Sequence, residues 1–507
     1  MALSSLLLGG LPAHGAEQLD VRIDGVTLPV DLRQLEEWSQ APNSRLDDLS
    51  VWMELLDPGS RQDLVRLLRA PLLRDRTLGQ QLLQSWAGGR VVAELGQLIT
   101  TGGEPSGGGG SGELLLATMR DLLRRKPEVN TLDLLRAVPV PRLTLQLDNL
   151  IALASLWRQQ VQSQGLAMDQ LRQLPLNQVV LTPNRPPTRR RPEKLLLGAA
   201  HRPQPLALQL WRADGTPRRS WVVLMPGLGG SAEQMGWLGE ALSAEGWSVL
   251  VLEHPGSDEK AIKELLDGRR PLPGAESLPD RLADLTAVLE AERTGRLPRL
   301  GDSVVLMGHS LGGLSALLAT GLRPEPGLAR RCRRALDSIP LINLSRLLQC
   351  QLDQVALPAP RPIVPVAGVV AFNAFGSLLW PEKGLSPLPV PVLLLGGSLD
   401  LVTPPVEEQL NLFLPGGHPL SRLVLVEGAS HFSAVRLAGR QQALFKLNDA
   451  LVGVEPLQVQ ALVLELTTAF LDGLDSGRPL PVRRVQENAV MAYVLDQATA
   501  KNWRRRL

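Results

Sequence analysis

The chain is 507 residues long, more than one hydrophobic core usually organises, so two domains are expected. Apolar residues at 44% and charged residues at 21% are the balance of a globular protein, and a formal net charge of +2 gives no electrostatic basis for nucleic acid as the main partner. No stretch beyond the N-terminus approaches about 18 uninterrupted apolar residues, which argues against a membrane-spanning helix.

In chain order, residues 2–11 are a short apolar run followed by small residues at Ala13, Gly15 and Ala16. No Lys or Arg precedes it, yet the pattern resembles the core and cleavage site of a secretory signal. Residues 1–16 are therefore expected to be a signal peptide, with export to the periplasm or an equivalent compartment; a cytoplasmic protein is the alternative. From 17 to 173 Leu recurs at helical spacing, in 64–68, 78–98 and 113–124, which predicts a mostly helical N-terminal domain. It opens with a hairpin-like alternation turning at Asp24 and Gly25, after which Asp31 caps a helix running through Trp38. "TGGEPSGGGGSG", residues 101–112, is expected to be a flexible insertion; it lacks the Lys followed by Ser or Thr that a phosphate-binding loop needs.

From 174 to 507 short β runs alternate with helices. Candidate strands are 178–181, 206–211, 221–225, 248–252, 304–307, 368–372, 390–395 and 422–426, with helices near 232–245, 278–294, 311–320 and 405–412. Near-continuous apolar strands separated by helices predict an α/β domain with a doubly wound, mostly parallel sheet covered on both faces. The basic "PNRPPTRRRPEK", residues 183–194, is expected to be a solvated connector. A helical insertion at about 321–365 carries Cys332 and Cys350 and is expected to cap the strand ends. Its two cysteines either bridge the helices or remain buried thiols. From about 435 three further helices are expected. Two cysteines, and no His-Glu-x-x-His, leave no structural zinc site or metalloprotease signature.

The chemistry concentrates in "VVLMGHSLGG", residues 304–313. Gly308-His309-Ser310-Leu311-Gly312 fits Gly-x-Ser-x-Gly, with a strand before it and a helix after it. Glycines on both sides let strand and helix backbones approach, and the sharp turn lifts the Ser310 hydroxyl over a helix N-terminus. A serine hydroxyl needs a base. Of six histidines, His14 falls in the signal, His201 and His418 precede strands and belong at the wrong sheet edge, His309 should point away, and His254 comes before the serine. His431, in "VEGASHF", follows the last strand, as the order nucleophile, acid, histidine requires. Asp400, after the strand in "VPVLLLGGSLDLVTPP", is the expected carboxylate; the loop after 368–372 offers Asn373 and no acid until Glu382, and Glu427 lies too close to His431 along the chain. The backbone amides of Leu311 and of Leu228, in "MPGLGG", are the expected oxyanion donors.

"MPGLGG", "GHSLGG", "GGSLDLVTPP" and "GASHF" resemble the α/β-hydrolase superfamily, and more narrowly its branch of platelet-activating-factor acetylhydrolase and dienelactone-hydrolase-like proteins. The region before them, with "AEQLDVRIDGVTLPVDLRQLEEW" and "VVAELGQLI", is similar to a helical domain of unknown function found ahead of such hydrolases. The resemblance implies a serine esterase with no cofactor or metal, Ser310, Asp400 and His431 as triad, and Leu228 and Leu311 as oxyanion donors. Pro226 stands where the family commonly has His, and Ser310 where dienelactone hydrolases proper have cysteine. The expected partner is a small apolar ester, with no nucleic acid and no transmembrane segment. A thioesterase or peptidase with the same triad, or a non-catalytic binding protein using the helical N-terminal domain, are the alternatives.

Overall fold

The computed structural model describes residues 15–42, 57–69, 71–73, 85–101, 109–126, 128–177, 190–336, 343–359, 363–436 and 455–507, together with 49 and 53 and without 268. All but the last two residues of the expected signal peptide, most of the glycine-rich insertion and the candidate strand 178–181 lie outside the described residues. The chain divides into two compact units, Met1–Leu156 with Lys263–Leu272, and Trp157–Ile262 with Pro273–Leu507.

In the first unit β1 (Gln18–Ile23) and β2 (Val26–Asp31) form the hairpin that Asp24-Gly25 predicted, with Asp24 at φ +47° and Gly25 at φ +78°. Asp31 caps the next helix by accepting from the amides of Arg33 and Gln34, and the helix runs on to Gln40. Two short strands, β3 (Pro71–Leu73) and β5 (Val129–Asn130), pair with each other. β4 (Ile99–Thr100) and β6 (Arg142–Gln146) join the hairpin in a sheet of order β2-β1-β6-β4. The larger part of the unit is helical, including Gly109–Arg125, which takes in the last glycines of the expected insertion. Leu32, Leu35 and Trp38 bury against Leu115, Met119, Leu123 and Leu143 to make its core.

The second unit is built on eleven strands: β7 (Leu176–Asn177), β8 (Glu193–Leu197), β9 (Leu206–Trp211), β10 (Ser220–Met225), β11 (Val249–Leu252), β12 (Ser303–His309), β13 (Val366–Phe372), β14 (Val392–Gly397), β15 (Arg422–Val426), β16 (Arg483–Glu487) and β17 (Val490–Leu495). Their order is β7-β16-β17-β15-β14-β13-β12-β10-β11-β9-β8. The six from β15 to β11 are mutually parallel, while β9 and β17 flank them antiparallel. β10, β14 and β15 are buried along their whole length, because helices cover both faces of the sheet. On one face Val222, Leu224, Val305, Met307, Val370 and Phe372 pack under the helices Ala232–Ala244 and Pro456–Ser476. The latter is long and apolar enough to span a membrane, but Val459, Leu462, Val463, Leu466 and Phe470 bury against the sheet, so it serves as a core helix. From β10 the chain moves to β11 on one side and then returns to β12 on the other. This reversal opens a crevice at the carboxyl ends of β10 and β12.

Two expectations change. The connector 183–194 already begins β8 at Glu193, an edge strand of the sheet. In place of three helices after 435, the described residues hold the helix Pro456–Ser476, the β16–β17 hairpin and the helix Gln497–Arg504. β17 pairs with β15, so hydrogen bonding to an existing sheet edge overrides the helical reading of this segment. Between β12 and β13, Cys332 on the helix Leu328–Ala335 and Cys350 on Ser345–Gln351 form a disulfide. Buried Glu408 gathers the second helix to the sheet-edge loops, accepting from Asn343, Ser345, Gln349 and Ser377 side chains and from the amides of Gly376 and Ser377.

Candidate active site

The crevice between β10 and β12 holds the turn at Ser310, whose backbone sits at φ +52°, ψ −116°. A non-glycine residue there stores roughly 1–3 kcal/mol of strain and persists only where its surroundings hold it. The Ser310 amide donates to the Phe372 carbonyl at 2.8 Å, and the helix Leu311–Ala319 starts at the next residue. A Cβ on Gly308 would lie 2.3 Å from the Gly312 carbonyl carbon, and one on Gly312 would lie 2.2 Å from the Met225 oxygen. The paired glycines thus let the helix rest directly on the ends of β10 and β12.

Asp400 follows β14 and is fully buried. Its Oδ1 accepts from the amides of Val402 and Thr403, both at 2.8 Å. Its Oδ2 accepts from Asn373 Nδ2 at 2.7 Å, Thr403 Oγ1 at 2.5 Å and His431 Nδ1 at 2.9 Å. Burial by itself would raise the carboxyl, but the His431 charge and the hydrogen bonds from His431 and Thr403 hold it down to about 2. Since the carboxylate can only accept, it assigns the Nδ1–H tautomer to His431 and leaves Nε2 as an acceptor.

His431, on the loop after β15, is joined to the serine turn through His309. The His309 Nε2–H donates to the His431 carbonyl at 2.8 Å, and the two ring centroids are 4.9 Å apart. Burial, followed by the His431 charge, lowers His309 to about 3, so it stays neutral and ties the turn to the His431 loop. The "MPGLGG" loop lies against the same turn: a Cβ on Gly227 would sit 2.9 Å from His309 Nδ1 and 3.3 Å from Ser310 Cβ. Leu311 opens its helix, so its amide has no intrahelical partner, and among the described residues nothing accepts from the Leu228 amide. One edge of the sheet therefore gathers a hydroxyl, an imidazole–carboxylate pair and two amides without acceptors, the parts that acyl transfer requires.

The hold of Asn373 and Thr403 on Asp400 is not legible in the sequence. The only signal is position, since Asn373 directly follows β13, at φ +49°, beside the strand that leads to Asp400. Glu427 is engaged elsewhere, accepting from Tyr493 Oη at 2.6 Å and Arg172 Nη2 at 2.5 Å. The placement of His201 needs correction. β9 runs antiparallel to β11, so its start lies at the same edge as Ser310, where His201 Nε2 meets Asp284 Oδ1 at 2.7 Å. His254 follows β11, is buried, and reaches the other oxygen of Asp284 at 3.0 Å. The 450 Å³ cavity lined by Leu282, Leu285, Leu289, Leu306 and Val366 is bordered by none of Ser310, Asp400 and His431. Among the described residues no group of His, Cys, Asp and Glu is placed to hold a metal ion.

Residues 222–441 match the model of a family described as the alpha/beta hydrolase family. The described part of this span has the alpha/beta hydrolase fold. Residues 15–146 match a model described as an alpha/beta hydrolase of unknown function, and no curated protein matches the chain. The matched span of the hydrolase domain runs from β10 to just past His431, so it includes the serine turn, Asp400 and the "MPGLGG" loop. The match supports a general hydrolase function.

Proposed function

We propose that the protein is a serine hydrolase that cleaves carboxylic esters through an acyl-enzyme. The observation that carries this reading is the buried His431–Asp400 pair, hydrogen-bonded at 2.9 Å and tied through His309 to the strained turn at Ser310. Ser310 Oγ attacks the ester carbonyl while His431 Nε2 takes its proton and Asp400 holds the ring. The tetrahedral oxyanion is stabilised by the amides of Leu228 and Leu311. His431 returns the proton to the departing alcohol, and a water deprotonated by the same nitrogen releases the acid and restores Ser310.

The order of "MPGLGG", "GHSLGG", "GGSLDLVTPP" and "GASHF" favours an enzyme like the platelet-activating-factor acetylhydrolase and dienelactone-hydrolase-like branch. The Leu, Val and Pro residues of the insertion at about 321–365 favour an apolar acyl or alcohol group. A fluorophosphonate probe is expected to label Ser310, and short-chain nitrophenyl esters are expected to turn over. Equal labelling and turnover by wild type and Ser310→Ala would overturn the assignment.

We propose further that the protein is exported. The Cys332–Cys350 disulfide fits an oxidising compartment, as does the apolar run at 2–11. Mass spectrometry of the native protein is expected to find an N-terminus near residue 17; an intact Met1 would count against export.

A further inference from the structure

Behind the "MPGLGG" loop lies a side chain that the acyl-transfer scheme does not use. Arg281, on the helix Leu278–Arg293, is 1% exposed. Its guanidinium donates in three directions: Nη2 to the Pro226 carbonyl, Nη1 to Ser257 Oγ at 2.8 Å, and Nε to Ser315 Oγ at 3.3 Å. All three acceptors are neutral oxygens. The nearby carboxylate, Asp284, is occupied by Arg202, His201 and His254. Burial pulls Arg281 down to about 9, opposed mainly by Asp284, so the group is still a cation at neutral pH. A buried cation bonded only to neutral oxygens is costly, and its place in a fold calls for a reason.

The three acceptors supply that reason, because each leads to an oxyanion donor. Pro226 immediately precedes Gly227 and Leu228. Ser257 accepts from the Gly229 amide at its carbonyl, at 2.7 Å, while its hydroxyl is held by Arg281. Leu228 is thus clamped on both sides, at the carbonyl of residue 226 and the amide of residue 229, by contacts that converge on one guanidinium. Ser315 lies one turn into the helix that Leu311 opens, and its hydroxyl donates to the Leu311 carbonyl at 2.8 Å. Three glycines at 227, 229 and 230 would otherwise leave this loop with wide backbone freedom, and an oxyanion hole works only if its donors are fixed before charge develops.

We propose that Arg281 is a positioning residue that sets both oxyanion amides, Leu228 through its two flanking contacts and Leu311 through Ser315. This inference rests on the hydrolase reading above. Arg281→Met is expected to lower kcat for a short-chain nitrophenyl ester about 100-fold, with KM within about twofold, because the contact it fixes strengthens only in the transition state. Arg281→Lys should recover part of kcat by keeping the charge and one donor to Pro226. Amide hydrogen exchange over 227–230, measured on the full chain, should quicken about tenfold or more in Arg281→Met while the central strands keep their protection.

A general loss of stability would move neither the division between kcat and KM nor exchange in this loop alone. Wild-type exchange over 227–230 in folded Arg281→Met would overturn the inference, whatever the activity. Wild-type protein with no Ser310-dependent turnover would sink the hydrolase reading instead, and the exchange measurement would still decide the role of Arg281. If Arg281→Met does not fold, Ser257→Ala takes its place. It removes one of the three acceptors and should lower kcat about three- to tenfold with faster exchange at Gly229; no change in either quantity would overturn the inference.

Discussion

Asp400→Asn is expected to lower kcat for a short-chain ester about 10⁴-fold with KM little changed. The cause is the tautomer of His431. The Asp400 Oδ2 position now accepts three hydrogen bonds, from Asn373, Thr403 and His431. An amide placed there either turns its NH₂ towards these donors or turns it towards the two amides at the Oδ1 position. The two donors at Oδ1 are backbone amides that can only donate, whereas the Thr403 hydroxyl and the His431 ring can each turn an acceptor. The NH₂ therefore falls on the His431 side, and His431 must accept at Nδ1 and carry its proton on Nε2. The ring then presents a donor to Ser310 where the reaction needs an acceptor. The same substitution alters the response to acid. The folded carboxyl, at about 2, lies below its ordinary value of about 3.9. Its contribution to stability is complete above about pH 4 and fades as pH falls towards 2. Melting temperatures from pH 5 down to pH 2 should therefore fall less steeply in Asp400→Asn, though not become flat, because Asp284 is likewise held at about 2. Turnover within tenfold of wild type would remove Asp400 from the proposed triad.

Gly312→Ala should be among the most damaging single methyls in the hydrolase domain. The new carbon would meet the Met225 oxygen at 2.2 Å and the Pro226 oxygen at 2.7 Å, and neither backbone atom can rotate away as a side chain would. Relief requires the helix Leu311–Ala319 to lift from the end of β10, a buried shift worth about 3 kcal/mol or more. That is a fall in melting temperature of roughly 10 °C, or loss of soluble protein. Activity should fall further than stability alone explains, since the displaced carbonyl of Pro226 belongs to the proposed oxyanion loop. Gly417→Ala is the matched control. A Cβ there meets nothing within 4 Å, and its melting temperature should stay close to wild type.

The turn at Ser310 was readable because its constraint is local: the glycines at 308 and 312, the apolar run before them and the small residues after them are all adjacent in the chain. The parallel strands were readable for a related reason, since a strand buried on both faces must be apolar throughout, as "WVVLM" and "RLVLV" nearly are. Strands β8 and β16 escaped because "EKLLL" and "RRVQE" sit towards the margins of the sheet, where a half-exposed strand keeps its charged residues. The direction of β9 escaped as well, and with it the edge on which His201 sits, because strand polarity is decided by a pairing partner and leaves no mark in composition. Asn373, Thr403 and Arg281 act across 27, 3 and 55 positions, on Asp400 and Pro226. Only the Thr403 contact is short enough in sequence to suggest itself, and a lone Asn or Arg does not announce which distant oxygen it will hold.

The His309 contact has a consequence for how the site moves. The residue that bonds the His431 carbonyl is the covalent neighbour of Ser310, although 122 positions separate His309 from His431. The spacing of the Ser310 and His431 backbones is thereby governed by one peptide link and one short bridge, not by the long course of chain between them. Breathing of the intervening segments, the disulfide-bonded helices included, can carry the two groups together while leaving their mutual distance almost untouched.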